Sequence, residues 1–358
     1  KNMTMLKLVS VSEMQTIEKA ADAAGHSYAA MMECAGRGLA EVIEENLGYL
    51  ADEGALGLVG SGNNGGDTLV ALTYLAESGW KTAALLVRPR PPEDPLLSRL
   101  RAAGGAVFEA ATLPPEEYLP LLDTHAVLLD GILGTGIRLP LRENLAAFLG
   151  RIREHIQQAQ EPPIVVAVDA PSGVDCDSGE AAPETLPADL TVTMAAVKRG
   201  LLREPAFSLA GDIRLVGIGL PEDLPAWQNI QRYVPTAEGV REMLPPRPPD
   251  AHKGTFGTAL VVAGSTNYTG AALLAGKAAY RSGAGLVTMA IPAPLHTALA
   301  GHFPEATWLL LPHELGVIAE KAAEVLRANL GRATAMLFGP GFGLEETTRD
   351  FIAALLEG

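Results

Sequence analysis

The chain has 358 residues and a formal net charge of −15, and 48% of its residues are hydrophobic while only 5% are aromatic. This length exceeds that of most single domains, so we expect two domains. The excess of 42 acidic over 27 basic residues argues against a nucleic-acid partner, because such a partner requires positive charge opposite its phosphates. A phosphorylated small ligand held by backbone N–H groups is compatible with this charge, and so is acidity that only aids solubility.

The cysteine content and the lengths of the apolar runs bear on the location of the protein. Only Cys34 and Cys176 are present, which gives neither a disulfide framework nor a zinc-binding spacing and predicts a reducing, cytoplasmic environment. No apolar run approaches the ~18 residues that a membrane-spanning helix needs, and the N-terminal residues do not follow the pattern of a signal peptide. We therefore expect no membrane partner.

Strands and helices alternate along the first two thirds of the chain. The spacing of Ser12 and Gln15 fits a capping box and predicts the start of a helix, and helical spacing of apolar residues predicts a second helix over residues 27–47. The elements predicted after it are strand 55–60, helix 67–77, strand 81–88, helix 95–103, strand 125–130, helix 141–157 and strands 164–169, 189–194 and 212–218. This alternation predicts an α/β fold with a parallel sheet covered by helices on both faces.

A proline-rich segment, residues 244–250, interrupts the alternation and predicts a linker or the entry to a second domain. The elements predicted after it are strand 258–263, helix 269–282, strand 286–291, helix 315–329, strand 335–338 and helix 345–356. The same alternation predicts a second α/β domain.

The densest motif is the run Gly60-Ser-Gly-Asn-Asn-Gly-Gly-Asp67 at a predicted strand-to-helix junction. Its four glycines permit a close approach of the backbone to a ligand, and the N-terminus of the following helix suits a phosphate or pyrophosphate. The side-chain oxygens of Asn63, Asn64 and Asp67 are suited to a cation or to ribose hydroxyls. A tight turn capped by Asp67 is the alternative interpretation.

Two further motifs follow predicted strands, at the edge where open α/β sheets bind ligands. Asp130 begins the run Asp-Gly-Ile-Leu-Gly-Thr-Gly, and Asp169 and Ser172 lie in the run Val-Asp-Ala-Pro-Ser-Gly. We expect Asn64, Asp130 and Ser172 to converge as oxygen ligands of a hard monovalent cation, with Asp169 free for proton transfer. Asp130 as a helix or turn cap is the alternative.

These three motifs, in this order, resemble those of the NAD(P)H-hydrate epimerase family over roughly residues 10–220. The resemblance implies a Rossmann-like three-layer sandwich over residues 1–225 that interconverts the R and S epimers of hydrated NADH and NADPH (NADHX and NADPHX). It implies K⁺ on Asn64, Asp130 and Ser172, and Asp169 as the acid/base residue. The substrate-binding residues that it implies are Asn63, Asn64, Gly65, Gly66, Asp67, Gly134, Thr135, Gly136, Ile137, Arg138, Leu139, Pro140 and Asp169.

Lys198, in the run Lys-Arg-Gly-Leu, also resembles an element of this family. A surface or packing role for Lys198 is the alternative.

Glycines also cluster at predicted strand ends of the second half, notably in Gly339-Pro-Gly-Phe-Gly343. With the segment that begins at His252, they resemble the ADP/ATP-dependent NAD(P)H-hydrate dehydratase family, which has a ribokinase-like fold, over residues 236–358. The resemblance implies that Ala271 and Gly341 contact the hydrated dinucleotide, and that ADP or ATP, with Mg²⁺ allowed, serves as cofactor.

The family's Gly-Thr-Gly-Asp segment, whose Asp is the catalytic base, does not occur after Gly343. We therefore expect a partial ribokinase-like domain, a truncated product, and no dehydratase activity, because a sheet cut at this point would leave strand edges and apolar faces uncovered.

Two other functions stay open. The same loops would serve a non-catalytic protein that binds a nucleotide or a partner, and the second half alone would fit a relative of sugar or hydroxymethyl kinases. A homo-oligomer is compatible with the sequence in each case.

Overall fold

The structure is a computed structural model that describes residues 5–357. The chain divides into two compact units, and the boundary between them falls between Leu244 and Pro245, at the start of the predicted proline-rich segment. Among the described residues, no helix is long and apolar enough to cross a membrane.

The first unit contains ten strands and ten helices among its described residues. The strands are β1 Met5–Val9, β2 Ala55–Val59, β3 Thr82–Leu86, β4 Ala106–Glu109, β5 Val127–Gly131, β6 Ile164–Val168, β7 Leu190–Met194, β8 Val197–Lys198, β9 Asp212–Val216 and β10 Tyr233–Pro235. The helices are α1 Val11–Ala23, α2 Tyr28–Leu47, α3 Asn63–Glu77, α4 Pro95–Ala102, α5 Pro115–Tyr118, α6 Pro120–Asp123, α7 Glu143–Gln158, α8 Ala206–Ala210, α9 Pro225–Gln228 and α10 Ala237–Met243.

Seven of these strands form one sheet in the order β4-β3-β2-β5-β6-β7-β9, and every neighbouring pair is parallel. From β2 the chain adds β3 and β4 towards one edge of the sheet, and from β5 it adds β6, β7 and β9 towards the other edge. The strand order therefore reverses between β2 and β5, which is the Rossmann arrangement and opens a crevice at the carboxyl ends of these two strands. The predicted Rossmann-like α/β class is confirmed.

Helices cover both faces of this sheet, and β2 shows why. Leu56 and Leu58 pack on the face that α7 covers, through Phe148 and Leu149, whereas Val59 packs on the opposite face, where α2 and α3 lie. Alternate residues of a strand point to opposite faces, and each buried Leu contributes about 1.5–3 kcal/mol. The result is a three-layer sandwich whose crevice is framed by rigid elements.

A small second sheet of the first unit has the order β10-β1-β8, with β1 antiparallel to β10 and parallel to β8. The sequence patterns did not predict β1 or β10, because strands of five and three residues are too short to show a periodicity. This sheet anchors the start of α1. The N-cap of that helix is Ser10, and Glu13 completes its capping box, so the prediction of Ser12 and Gln15 in these roles is wrong by two residues.

The second unit contains six strands and four helices among its described residues. They are β11 Thr258–Val262, α11 Thr269–Arg281, β12 Leu286–Pro292, α12 Leu295–Leu299, β13 Thr307–Leu311, β14 His313–Glu314, β15 Val317–Ile318, α13 Ala322–Asn329, β16 Ala335–Phe338 and α14 Glu346–Leu356. Four of the strands form a parallel sheet in the order β13-β12-β11-β16, so the α/β class is confirmed here too.

The predicted helix over residues 315–329 is wrong in its first half. Leu315 and Gly316 both have positive φ, 50° and 83°, and they form the two-residue turn of the β14–β15 hairpin. A two-residue hairpin turn of this kind requires positive φ at both positions, which a helix does not allow. The helix α13 therefore begins only at Ala322.

We predict that Ser10→Ala lowers the free energy of unfolding by about 1 kcal/mol, because the mutation removes the side-chain acceptor of the N-cap. Ser12→Ala is the matched control, since the side chain of Ser12 bonds only the Ser10 hydroxyl in the described structure. Urea denaturation of the whole chain measures both losses. A loss from Ser12→Ala that equals or exceeds that from Ser10→Ala would contradict the assignment of the cap.

Candidate functional site

The glycine-rich run between β2 and α3 is shaped by close backbone contacts. A Cβ added to Gly60 would lie 2.0 Å from the carbonyl oxygen of Ile132, and one added to Gly65 would lie 2.0 Å from the carbonyl oxygen of Gly60. Only glycine fits at these positions. The helix α3 begins at Asn63, four residues before the predicted start, and its N-cap Gly62 provides no side-chain acceptor. The first N–H groups of α3 therefore remain available to an anion.

Arg90 holds this loop in place through hydrogen bonds to its carbonyl oxygens. Its Nη1 donates to the carbonyl oxygens of Gly60 at 2.9 Å and Gly62 at 3.3 Å, and its Nε pairs with Asp94 at 2.8 Å. The side chains of Arg90 and Asp94 are only 10% and 9% exposed. A charged pair that is shielded from water in this way holds its geometry firmly, so Arg90 fixes the loop. No motif in the sequence marks this residue.

Asn64, Asp130 and Ser172 meet at the crevice, as the sequence predicts. The hydroxyl of Ser172 donates to Asp130 Oδ1 at 2.5 Å, and its backbone N–H donates to Asp130 Oδ2 at 2.8 Å. Leu133 connects Asn64 to this pair. Its carbonyl oxygen accepts from Asn64 Nδ2 at 2.9 Å, and its N–H donates to Ser172 Oγ at 3.0 Å. Three strand ends are thereby tied into one cluster.

The donor atoms of this cluster suit a hard monovalent cation. Asp130 is fully buried, and burial raises the pKa of its carboxyl, an effect that the Ser172 hydrogen bonds oppose. Within residues 5–357 no lysine or arginine pairs with it, and the same residues contain no group of three His, Cys, Asp or Glu side chains that could hold a metal ion. Carboxylate, hydroxyl and amide oxygens are ligands that hard cations prefer, whereas transition metals favour imidazole and thiolate groups.

Asp169 is held in an unusual backbone conformation next to a buried lysine. Its φ is 65°, and its Oδ1 accepts from Lys198 Nζ, from the N–H of Met194 at 2.9 Å and from the Thr193 hydroxyl at 3.1 Å. Lys198 is only 1% exposed, so a surface role for it is excluded. A buried ammonium needs an anionic partner, and among residues 5–357 the donors that contact the Asp169 carboxylate converge on Oδ1.

Two more carboxyl groups face the same space. Burial, together with the charges of Asp169 and Glu18, raises the pKa of Asp67 well above its ordinary value. Burial also raises the pKa of Glu18. Asp67 therefore keeps its proton at a higher pH than an exposed aspartate. The sequence marked Asp67 but gave no signal for Glu18, which lies on α1, far from the motifs in the chain.

Glu18, Asp67 and Asp169 line one cavity of about 410 Å³ at the carboxyl ends of the central strands. Asp130, Ser172 and Lys198 are buried and are not part of its wall. The predicted residues on its wall are Asn63, Asn64, Asp67, Gly134, Thr135, Gly136, Ile137 and Asp169. The structure places Gly65 and Gly66 inside α3 instead, where an added Cβ on Gly66 would lie 2.6 Å from Met32. Arg138, Leu139 and Pro140 continue the loop beyond the wall. Wall residues that the sequence did not indicate include Glu18, Tyr28, Met31, Met32 and Arg88.

In the second unit, the structure brings Ala271 and Gly341 together. Gly341 follows β16 with a φ of 72°, and a Cβ added to it would lie 2.8 Å from the Cβ of Ala271 on α11. Two positions that are 70 residues apart in the chain thus lie next to each other, near the strand ends where open α/β sheets bind ligands.

The fold and the cavity define the first unit as a Rossmann-type protein with a ligand crevice at its switch point. Two family models match the sequence: YjeF-related protein N-terminus over residues 28–200 and NAD(P)H-hydrate dehydratase over residues 259–358. The crystal structure of yeast ynu0 is similar in fold, with a TM-score of 0.50 at 21% identity over 59% of this chain and 88% of that chain.

The chain is also similar to curated proteins over most of its length. The bifunctional NAD(P)H-hydrate repair enzyme of Archaeoglobus fulgidus is 32% identical over 355 residues, which cover 98% of this chain and 69% of that protein. The enzyme of the same name from Moorella thermoacetica is 34% identical over 333 residues, which cover 91% of this chain and 62% of that protein. The chain belongs to the bifunctional NAD(P)H-hydrate repair enzyme family, and it spans 62% of the length of the Moorella relative.

We predict that Asp67→Asn flattens the dependence of stability on pH. The folded protein holds a proton on Asp67 that the unfolded chain releases, since the folded pKa lies above the ordinary value of 3.8. This contribution is complete below pH 3.8 and is lost as the pH rises through the raised pKa. Thermal denaturation from about pH 5 to about pH 8 should show a smaller loss for the variant than for the wild type. The exposed-site variant Asp52→Asn should keep the wild-type profile, and equal slopes for wild type and Asp67→Asn would disprove the assignment.

Proposed function

We propose that the first unit epimerises hydrated NADH and NADPH at the ring carbon that carries the hydroxyl, with Asp169 as the acid/base residue. The observation that carries this proposal is the geometry of Asp169. One carboxylate oxygen is fixed by Lys198 and a backbone N–H, while the residue lines the cavity next to the glycine-rich loops. A carboxylate held by one oxygen and open at the other is suited to proton transfer.

The cavity would take the dinucleotide along the crevice. The N-terminus of α3 and the Gly134-Thr-Gly136 turn offer backbone N–H groups for its two phosphates, and Asp169 stands at the end of β6 for the nicotinamide ring. The size of the cavity, about 410 Å³, holds the reacting half of such a ligand while the rest extends along the open edge of the sheet.

The reaction needs one proton given and one proton taken. Protonation of the ring hydroxyl lets it leave as water and gives a planar iminium ion, and water that adds to the opposite face returns a proton to the protein. The product has the same composition as the substrate, so no redox partner is required. Asp67, whose pKa is raised by burial, is suited to give it, and Asp169 is suited to accept it.

Asn64, Asp130 and Ser172 would hold K⁺, which supplies a fixed positive charge beside the phosphates. The role of these residues is to keep the Gly134-Thr-Gly136 turn in place through Leu133. The second unit would form part of the site at which relatives use ADP or ATP, with Mg²⁺ as the metal that accompanies such nucleotides. Ala271 and Gly341 would contact the hydrated dinucleotide there.

We propose that the first unit, which ends at Leu244, is the epimerase domain predicted over residues 1–225, and that the second unit is the dehydratase domain predicted over residues 236–358. The cytoplasmic location and the homo-oligomer stay predictions. The alternative, a protein that binds nucleotides without catalysis, would not need Asp169 in a strained conformation beside a buried lysine, since a residue other than glycine with positive φ costs about 1–3 kcal/mol.

We predict that Asp169→Asn slows epimerisation by ~10²–10⁴-fold, because the group that moves the proton is lost. The purified R epimer of NADHX is incubated with the protein in K⁺ buffer, and the S epimer is followed by chromatography. Since Asp169→Asn leaves Lys198 buried without a charge partner, the double variant Asp169→Asn/Lys198→Met is assayed beside it.

Asp212→Asn is the control, because Asp212 is 61% exposed and its one ion pair in the described part of the chain is with Arg214. It should keep the wild-type rate. A folded Asp169 variant with an unchanged rate would refute the role of Asp169. A folded wild-type protein that is no faster than the spontaneous reaction would favour the binding protein.

We predict that K⁺ stabilises the wild type against heat, relative to tetramethylammonium at equal ionic strength, and that Asp130→Asn removes the difference. At a K⁺ concentration ~100-fold above the dissociation constant the gain is about 2.7 kcal/mol. Asp212→Asn should respond like the wild type. Identical melting of the wild type in both salts would exclude the cation site.

A further inference from the structure

The carboxyl ends of the central strands form an ordered row. From one side of the crevice to the other, the strands are β3, β2, β5 and β6. If the nicotinamide ring lies at Asp169 after β6 and the phosphates lie at the loops after β5 and β2, the adenosine ribose reaches the end of β3. In Rossmann-type sheets this position selects between a ribose 2′-hydroxyl, bound by an acidic residue, and a 2′-phosphate, bound by an arginine.

The residue at this position is Arg88, two residues past the last residue of β3, Leu86. Arg88 is half-buried and lines the same cavity as Asn63 and Asp169. The next acidic residues are Glu93, which is exposed, and Asp94, which pairs with Arg90, and neither lines the cavity.

Arg88 is also a cation without a partner. In the described part of the chain it forms no hydrogen bond and no ion pair, while its neighbour Arg90 is fully engaged with Asp94 and the Gly60 carbonyl. A guanidinium on a cavity wall that no carboxylate neutralises is suited to a phosphate dianion, which it can bind through two parallel hydrogen bonds.

We infer that Arg88 binds the adenosine 2′-phosphate and makes the first unit selective for the phosphorylated dinucleotide, NADPHX, over NADHX. This inference rests on the proposed function for the identity of the whole substrate. Recognition of the 2′-phosphate itself depends only on the end of β3 and on the cavity.

Binding of two probes separates the inference from the chemistry. Isothermal titration of the whole chain compares adenosine 2′,5′-bisphosphate with adenosine 5′-monophosphate, which lacks the 2′-phosphate. The wild type should prefer the bisphosphate by about tenfold or more, since only this probe can form a charged hydrogen bond between its 2′-phosphate and Arg88. Arg88→Gln should abolish this preference, and Arg88→Glu should reverse it. Arg101→Gln, an exposed arginine on α4, removes the same charge and should leave the preference intact.

The epimerase assay then gives the same comparison for substrates. The ratio of kcat/KM for NADPHX to that for NADHX should fall by a similar factor in Arg88→Gln, mainly through KM. Equal affinity of the wild type for both probes, or a preference that survives Arg88→Gln, would overturn the inference while epimerisation stands. A preference that depends on Arg88 in a protein without epimerase activity would instead overturn the proposed function and keep the subsite.

Discussion

The parallel register of β2, β5 and β6 is the constraint on which the site depends. Leu58 lies opposite Asp130, and Asp130 lies opposite Ala167, so the three strands leave the sheet at the same level. A slip of one residue would turn every side chain of a strand to the other face and would separate Asp130 from Ser172. The hydrophobic residues that fix the register inside the sheet therefore also place the oxygen cluster at its edge.

Three acidic groups are largely buried at this edge of the sheet, and each is stabilised in a different way. Asp130 is stabilised by hydrogen bonds from Ser172 and Asp169 by the ammonium of Lys198, whereas the pKa of Asp67 is raised by burial, which favours its uncharged form. Hydrophobic residues at these positions would cost less, because burial of a charged or polar group is unfavourable even when it is paired. Such groups are retained at a strand edge when the chemistry requires them, which is why the site, rather than the core, carries the functional assignment.

The sequence predicted the parts of the structure that depend on long periodic segments. The strands β2 and β6 and the helix α2 lie within one or two residues of their predicted bounds, because buried strands and amphipathic helices repeat their apolar residues regularly. The short β1 and the hairpin turn at Leu315 depend on tertiary pairing and positive φ instead. In the site, glycine-rich motifs marked the loops, whereas Glu18 and Arg90 lie outside any motif, and only folding brings Glu18 to the cavity and Arg90 to the glycine-rich loop.

The distribution of charge along the cavity favours one orientation of the bound dinucleotide. The positive end of the α3 dipole and the guanidinium of Arg88 stand on the β2 and β3 side, where phosphates are attracted. Asp169, at the end of β6, and Glu18, on α1, also line the cavity. A dinucleotide that is negative at its phosphates and becomes positive at its ring when the hydroxyl leaves matches this polarity in one orientation only. The same acidic groups would stabilise the planar iminium ion more than the neutral substrate, and such a difference between transition state and ground state is what accelerates a reaction.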